Sequence, residues 1–244
     1  MTAPAAAPVQ AALAAIHNGL IVSCQAPPED PLSGPEVIRR LALSVVAGGA
    51  VAVRVEGLDD LHAVRPELDV PVIGLVKAGT AQVYITPTVA HAEAVAGTGV
   101  DLVAVDATGR PRPDGRALTD TITAVHAQGV GVLADVANLD EGRAAAAAGA
   151  DAVATTLAGY TGGGPAPSEP DLTLVATLAE ELDVPVIAEG RLRTREDVVA
   201  AREAGAWAVV VGTAITRPQL LTRALVGALD GDGRRDVLDE QVDA

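Results

Sequence analysis

The sequence predicts an α/β fold, a single (β/α)8 TIM barrel spanning residues 1–244, on three observations. Eight short apolar runs recur along the chain, helix-like segments separate them, and the turns leading back into the runs repeat a Gly or Asp pattern before valine or another small apolar residue. Apolar runs without polar alternation suit strands buried on both faces, the habit of parallel sheets. Eight such units fit a closed barrel better than an open doubly wound sheet.

Taken in order, the runs cover residues 20–23, 51–55, 72–76, 102–105, 130–134, 152–155, 186–188 and 208–211. Helix-like segments run over 35–48, 58–68, 88–97, 118–128, 140–149, 171–182 and 194–205. Capping residues, an early proline or acids mark several starts, as in Ser33-Gly34-Pro35-Glu36 and Thr194-Arg195-Glu196-Asp197, and Gly205 ends the last of these helices. The foot of the repeated unit reads Gly48-Gly49-Ala50-Val51, Gly99-Val100-Asp101-Leu102, Gly149-Ala150-Asp151-Ala152 and Gly205-Ala206-Trp207-Ala208, with Asp-Val-Pro-Val at 69–72 and 183–186. Residues 1–15, rich in Ala and Pro, are open between a flexible and a helical segment. The charged tail 231–244 is open between an extension of the last helix and disorder.

Composition narrows the partners. With 17 Lys+Arg against 32 Asp+Glu the formal charge is −15, and a polyanionic nucleic acid needs the opposite sign. No Phe, one Trp and two Tyr leave an aliphatic core and no platform for stacking bases. No stretch has the length and apolarity of a membrane span, and no positive n-region marks a signal peptide. Cys24 stands alone, so the expected setting is the reducing cytoplasm, and it reads as a small buried hydrophobe rather than a nucleophile. No metal is expected, because His17, His62, His91 and His126 fall in helix-like segments rather than at strand ends. Trp207 and Tyr84 read as packing or interface residues.

Barrel chemistry gathers where strands end at their C-terminal side. Those positions hold Gln25, Arg54 with Glu56, Lys77, Asp106, Asp135, Glu189-Gly190-Arg191 and Gly212-Thr213-Ala214. A lysine above an apolar strand is hard to explain by packing, and desolvation can turn such an amine into a base near neutral pH. Gln25, Lys77, Asp135 and Glu189 sit on alternate strands and are expected to form one polar layer, with Lys77 and Glu189 facing across the axis. Arg54 and Asp106 would then lie in the next tier, and Asp106 has a competing role as a loop cap. Gly190, Arg191, Gly212 and Thr213 are the candidate phosphate binders, since loops seven and eight and a short helix N-terminus commonly hold that anion. Arg217 can add a charged fork. Tyr160 in the sixth loop is a candidate ligand contact or a packing residue, and Gly162-Gly163-Gly164 reads as a loop over the pocket or a spacer.

These stretches, in order, resemble the N-acetylmannosamine-6-phosphate 2-epimerase family of sialic acid catabolism. The matching segments are Ser23-Cys24-Gln25, Val53-Arg54-Val55-Glu56-Gly57, Gly74-Leu75-Val76-Lys77, Tyr84-Ile85-Thr86-Pro87-Thr88, Asp106-Ala107-Thr108 with Arg112-Pro113-Asp114-Gly115, Thr155-Thr156-Leu157 with Gly159-Tyr160-Thr161, Ala188-Glu189-Gly190-Arg191, and Gly205-Ala206-Trp207-Ala208-Val209 leading to Gly212-Thr213-Ala214-Ile215-Thr216-Arg217. The resemblance implies an isomerase without an organic cofactor, acting on a phosphorylated N-acetylated amino sugar. It implies Lys77 as catalytic base and acid with Glu189 as its partner, and substrate binding by Gln25, Arg54, Asp135 and Arg217. A homodimer is also expected. Three positions depart from the family pattern: Ala78-Gly79 follow Lys77 where Arg-Asp is common, Ala158 replaces a serine, and Val136-Ala137 replace Cys-Ser. The residues alone leave open a Schiff-base lyase or synthase, with Lys77 as nucleophile, and a non-catalytic sugar-phosphate barrel.

Overall fold

The computed structural model describes residues 7–162 and 167–229; the 231–244 tail, Gly163 and Gly164 lie outside the described residues. Eight parallel strands close in chain order: β1 (Leu20–Cys24), β2 (Ala52–Glu56), β3 (Val72–Leu75), β4 (Leu102–Asp106), β5 (Gly131–Asp135), β6 (Ala152–Ala154), β7 (Val186–Glu189) and β8 (Ala208–Val211). Pairing of Leu20 with Val209 returns β8 to β1. Between the strands run α2 (Pro35–Ala47), α3 (Leu58–Val64), α4 (Val89–Ala96), α5 (Leu118–His126), α6 (Leu139–Ala148), α7 (Leu172–Glu181) and α8 (Arg195–Glu203). The chain begins with α1 (Ala7–Ala15), and α9 (Thr213–Thr216) and α10 (Pro218–Leu229) follow β8.

Side chains alternate across each strand, so the barrel separates two cores. Val53, Val55, Val103, Val105 and Val132 face the helices and meet Ile38, Leu61, Val95, Val125 and Leu178. Ile21, Ile73, Leu75, Leu102, Leu133 and Ile187 fill the interior. Val9, Leu13 and Ile16 join that inner cluster, so the N-terminal helix plugs the foot. Each fully buried aliphatic side chain there stabilises by roughly 1.5–3 kcal/mol.

The repeated foot turns have a common geometry. Gly49, Gly99, Gly149 and Gly205 take φ of 103°, 81°, 102° and 98°, a conformation that costs glycine little. In two of these turns the aspartate ties down the neighbouring strand: Asp101 Oδ2 accepts from the Val72 amide at 2.8 Å, and Asp151 Oδ2 from the Val132 amide at 2.7 Å. Trp207 Nε1 donates to the Leu13 carbonyl at 2.8 Å, fastening α1 to the start of β8.

One helix ends earlier than its apolar pattern suggests. The segment 58–68 breaks into α3 and a 3-10 turn at Arg65–Glu67, because Pro66 has no amide hydrogen to continue the helical ladder. Among the described residues no helix is long and apolar enough to cross a membrane.

Candidate active site

The alternation that puts Ala52 inside puts Arg54 and Glu56 inside as well, and on β3 it carries Ile73 and Leu75 on to Lys77. At the mouth these polar heads replace the aliphatic layers. They surround a cavity of about 230 Å³ whose wall includes Gln25, Arg54, Lys77, Tyr160, Glu189 and Arg217.

Arg54 is the pivot, buried to 1% exposure. Its Nη1 donates to Asp135 Oδ1 at 3.0 Å and to Glu189 Oε2 at 2.6 Å, while Nη2 donates to Asp135 Oδ2 at 2.7 Å. Thr156 Oγ1 donates to Asp135 Oδ1 at 2.6 Å and lies 3.2 Å from Glu189 Oε2. Thr155 pins the same strand end, accepting from the Glu189 amide at 3.0 Å and donating to the Glu189 carbonyl at 2.9 Å. One cation thus serves two carboxylates in a largely buried site, where unpaired charge is costly. Burial first, and the Asp135 charge after it, push the Glu189 carboxyl up, with Arg54 opposing. Burial works against the Arg54 charge, but the two carboxylates outweigh it and hold the guanidinium above its usual value.

This network revises two expectations. Arg54 does not occupy a separate tier: it bonds directly to two members of the odd-strand layer, because a long arginine on β2 reaches across the barrel interior to β5 and β7. Asp135 does not reach the cavity wall; it is fully buried, and both oxygens are taken by Arg54 and Thr156.

Lys77 follows β3 where the chain turns into a short antiparallel contact with Ile85, closed by hydrogen bonds from Ala78 to Tyr84 and from Thr86 to Val76. Its Nζ lies 3.4 Å from Glu56 Oε2. Lys77 and Glu189 share the cavity, yet each has another charged partner, Glu56 for the lysine and Arg54 for the glutamate. Gln25 Nε2 donates to Ser23 Oγ at 2.9 Å.

Around loops seven and eight the backbone is unusual. Gly190 and Arg191 take successive φ values of 112° and 58°, the second strained for a side-chain-bearing residue. Gly212 and Thr213 lead into α9, where the Ile215 and Thr216 amides donate to the Gly212 carbonyl at 2.8 and 3.0 Å. The Arg191 guanidinium is committed elsewhere: Nε donates to the Glu169 carbonyl and Nη1 to the Ala158 carbonyl, both at 2.7 Å, and the group lies 5.1 Å over the Tyr160 ring. Arg217 Nε lies 3.2 Å from Asp30 Oδ2, a pair almost closed to solvent.

Other candidates have structural occupations. Asp106 caps its loop, accepting from the Thr108 amide and hydroxyl and from Arg110. His91 caps α4 with Thr88, His126 pairs with Asp151 at the foot, and His17 stacks 4.0 Å from Trp207. Among the described residues no three His, Cys, Asp or Glu side chains come together as a metal site. Burial pushes the Cys24 thiol up to about 12, which keeps it protonated and inert. The foot has a larger groove of about 840 Å³, but its wall is mostly small or apolar residues with the committed His126–Asp151 pair.

Residues 38–230 match the model of one protein family, described as "Putative N-acetylmannosamine-6-phosphate epimerase". The chain belongs to this family. Among its relatives, a protein of Cutibacterium acnes named "Putative N-acetylmannosamine-6-phosphate 2-epimerase" is 48% identical over 213 residues, covering 86% of this chain and 93% of that one. A protein of the same name from Caldanaerobacter subterraneus is 44% identical, covering 86% and 91%. The solved N-acetylmannosamine-6-phosphate 2-epimerase of Clostridium perfringens superposes with a TM-score of 0.86 at 37% identity, covering 88% of this chain and 95% of that chain. A thiamine phosphate pyrophosphorylase of Pyrococcus furiosus, at 17% identity and a TM-score of 0.57, shares the fold alone.

In this epimerase-family chain, sequence reasoning names Glu56 and Thr156 without giving either a partner, and it misses Asp30. Glu56 stands two residues after Arg54 and so on the same face, a signal the strand period offers. Thr156 stands two after Ala154 in the same way. Asp30, the partner of Arg217, sits in an irregular loop where no period applies.

Proposed function

We propose that this chain is an isomerase that interconverts N-acetylmannosamine 6-phosphate and N-acetylglucosamine 6-phosphate without an organic cofactor, by removing and returning the proton at carbon-2 of the open-chain sugar. The observation that carries it is a buried Arg54–Glu189 pair sharing one cavity with Lys77.

Carbon-2 is acidic only when carbon-1 is an aldehyde, so the ring must open first. Glu189, with its carboxyl pushed up by burial, holds a proton more readily than an exposed glutamate and moves it to or from the ring oxygen. Lys77, as the neutral amine, takes the carbon-2 proton. Negative charge then develops on the carbon-1 oxygen, and the Arg54 guanidinium, held in place by Asp135, offsets it. Gln25 and Tyr160 contact the sugar. Phosphate sits against the backbone of Gly190, Arg191, Gly212 and Thr213 with Arg217 beside it, and this remote anchor orients the flexible open chain.

Proton NMR of N-acetylmannosamine 6-phosphate with the purified protein in heavy water tests the reading. The expected result is conversion to the 2-epimer with deuterium at carbon-2; an unchanged substrate with its carbon-2 hydrogen retained overturns it.

Two further features of the reading have separate support. Helix α10 exposes Leu225 (71%), Val226 (51%) and Leu229 (88%), an apolar edge that suits a second copy of the chain, so a homodimer mass is expected by light scattering. The one cysteine is buried and unpaired, in keeping with a cytoplasmic enzyme.

A further inference from the structure

Beside the mouth cavity lies a second chamber of about 320 Å³, and Gln25, Lys77 and Arg217 are common to the walls of both. Glu56 and Glu29 line the second chamber and not the first. Lys77 therefore stands between the space assigned to the sugar and a space with its own carboxylates.

The proposed reaction needs Lys77 neutral before it meets carbon-2, and it needs somewhere for that proton to go. Glu56 Oε2, 3.4 Å from Nζ, is the charged partner the lysine has, and both side chains are about one quarter exposed, at 25% and 24%. The carboxylates of Asp135 and Glu189 are held by Arg54 instead. Behind Glu56, in the first turn of α3, burial and the charges of Glu56 and Asp59 push the Asp60 carboxyl up to about 6. The charged groups around Glu56 are thus Lys77 after β3, Asp59 and Asp60 on α3, and Glu29 and Arg217 on the chamber wall.

We propose that Glu56 takes the proton from Lys77 Nζ and exchanges it with water in the second chamber, so that Glu56 both arms the base and sets the isotope returned to carbon-2. The inference rests on the function proposed above and deepens it. In the arming step an N–H bond breaks, an O–H bond forms on Glu56, and the carboxyl passes its proton to water. The amine then takes the carbon-2 hydrogen: the C–H bond breaks, an N–H bond forms, and the electron pair moves onto the carbon-1 oxygen. A second exchange through Glu56 replaces the carbon-derived hydrogen on Nζ with one from solvent before the proton returns. Glu56 acts through Lys77 and is a positioning residue.

The test compares wild type, Glu56→Gln and Glu56→Asp on N-acetylmannosamine 6-phosphate in heavy water, reading kcat and KM by NMR and deuterium per epimer formed by mass spectrometry. Glu56→Gln is expected to lose about 10²–10³-fold in kcat across the pH profile, with KM little changed and less deuterium per epimer than wild type, the range of a lost proton-transfer group. Glu56→Asp is expected to recover part of both. A Glu56→Gln enzyme with its plateau kcat intact and only the pH limb displaced overturns the relay, since the carboxylate would then have acted by charge alone. A fall in kcat with unchanged deuterium per epimer overturns it too, as that marks lost packing. If Glu56→Gln does not fold, Glu56→Asp decides: lower kcat with less deuterium per epimer upholds the relay, and an unchanged ratio overturns it. Wild type that forms no epimer and leaves the carbon-2 hydrogen in place sinks the underlying function, whereas wild type that forms epimer without deuterium overturns the relay alone.

Discussion

At the foot of the barrel Leu13, Ile16 and Ile21 close the strands with aliphatic contacts and one indole hydrogen bond, while at the mouth Arg54, Asp135 and Glu189 fill the inward rows with charge. Both ends are buried, and the strands are the same. Apolar burial at the foot stabilises directly, whereas the buried ions at the mouth offset a large desolvation cost with their pairing and leave little net gain. The comparison teaches where this fold keeps its stability and where it accepts a costly arrangement: a carboxyl held up by burial, and an arginine shared between two anions. Separable roles follow, and substitutions at each end can break that separation.

The largest effect is expected for Lys77→Ala, which should lower kcat by 10³-fold or more, about 4 kcal/mol in the barrier, with binding of the phosphorylated sugar and thermal stability retained. Residual carbon-2 exchange in heavy water at the wild-type rate would contradict it. At the other end, Leu13→Ala should cost about 2–4 kcal/mol in denaturant unfolding and leave kcat and KM unchanged at a temperature where the fold persists. A proportionate loss of turnover would mean the two ends are coupled. Arg217→Ala should raise KM by about 10- to 100-fold, roughly 1.5–3 kcal/mol for a charged hydrogen bond, with a smaller effect on kcat in steady-state assays.

The smallest effect sharpens the comparison through pH. Asp60 titrates near 6 in the folded chain against an ordinary 3.8, so the folded state holds its proton more tightly. The charged form therefore costs stability above pH 6, and that cost is relieved as pH falls through 6 towards 4. Asp60→Asn should raise stability by about 1 kcal/mol at neutral pH, allowing for its partial exposure, and lose that advantage below about pH 4. Urea unfolding across the pH series reads this directly.

Much of the scaffold was legible because its rules are local. β-Branched runs, glycines at the foot turns and aspartates that follow them all specify structure within a few residues, and the barrel closed with the eight strands expected. Pro66 was an equally local signal for the early end of α3. The site was less legible because it depends on height as well as face. A period of two tells that Arg54, Asp135 and Glu189 point inward, but their relative height comes from the stagger of a closed sheet. Hence Arg54 reads from sequence as a separate tier and proves to be the hub, with Asp135 as its buried partner. The partners of the Arg191 side chain were not legible for another reason: the carbonyls of Ala158 and Glu169 lie on a distant loop that sequence spacing does not bring near.

The Trp207 indole has a use beyond packing. It is the one tryptophan of the chain, and it is bonded to the Leu13 carbonyl at the end far from Lys77. Its emission spectrum is thus a built-in gauge of whether α1 is seated, blind to what occupies the mouth, so that unfolding and ligand occupancy can be followed as independent signals in one cuvette.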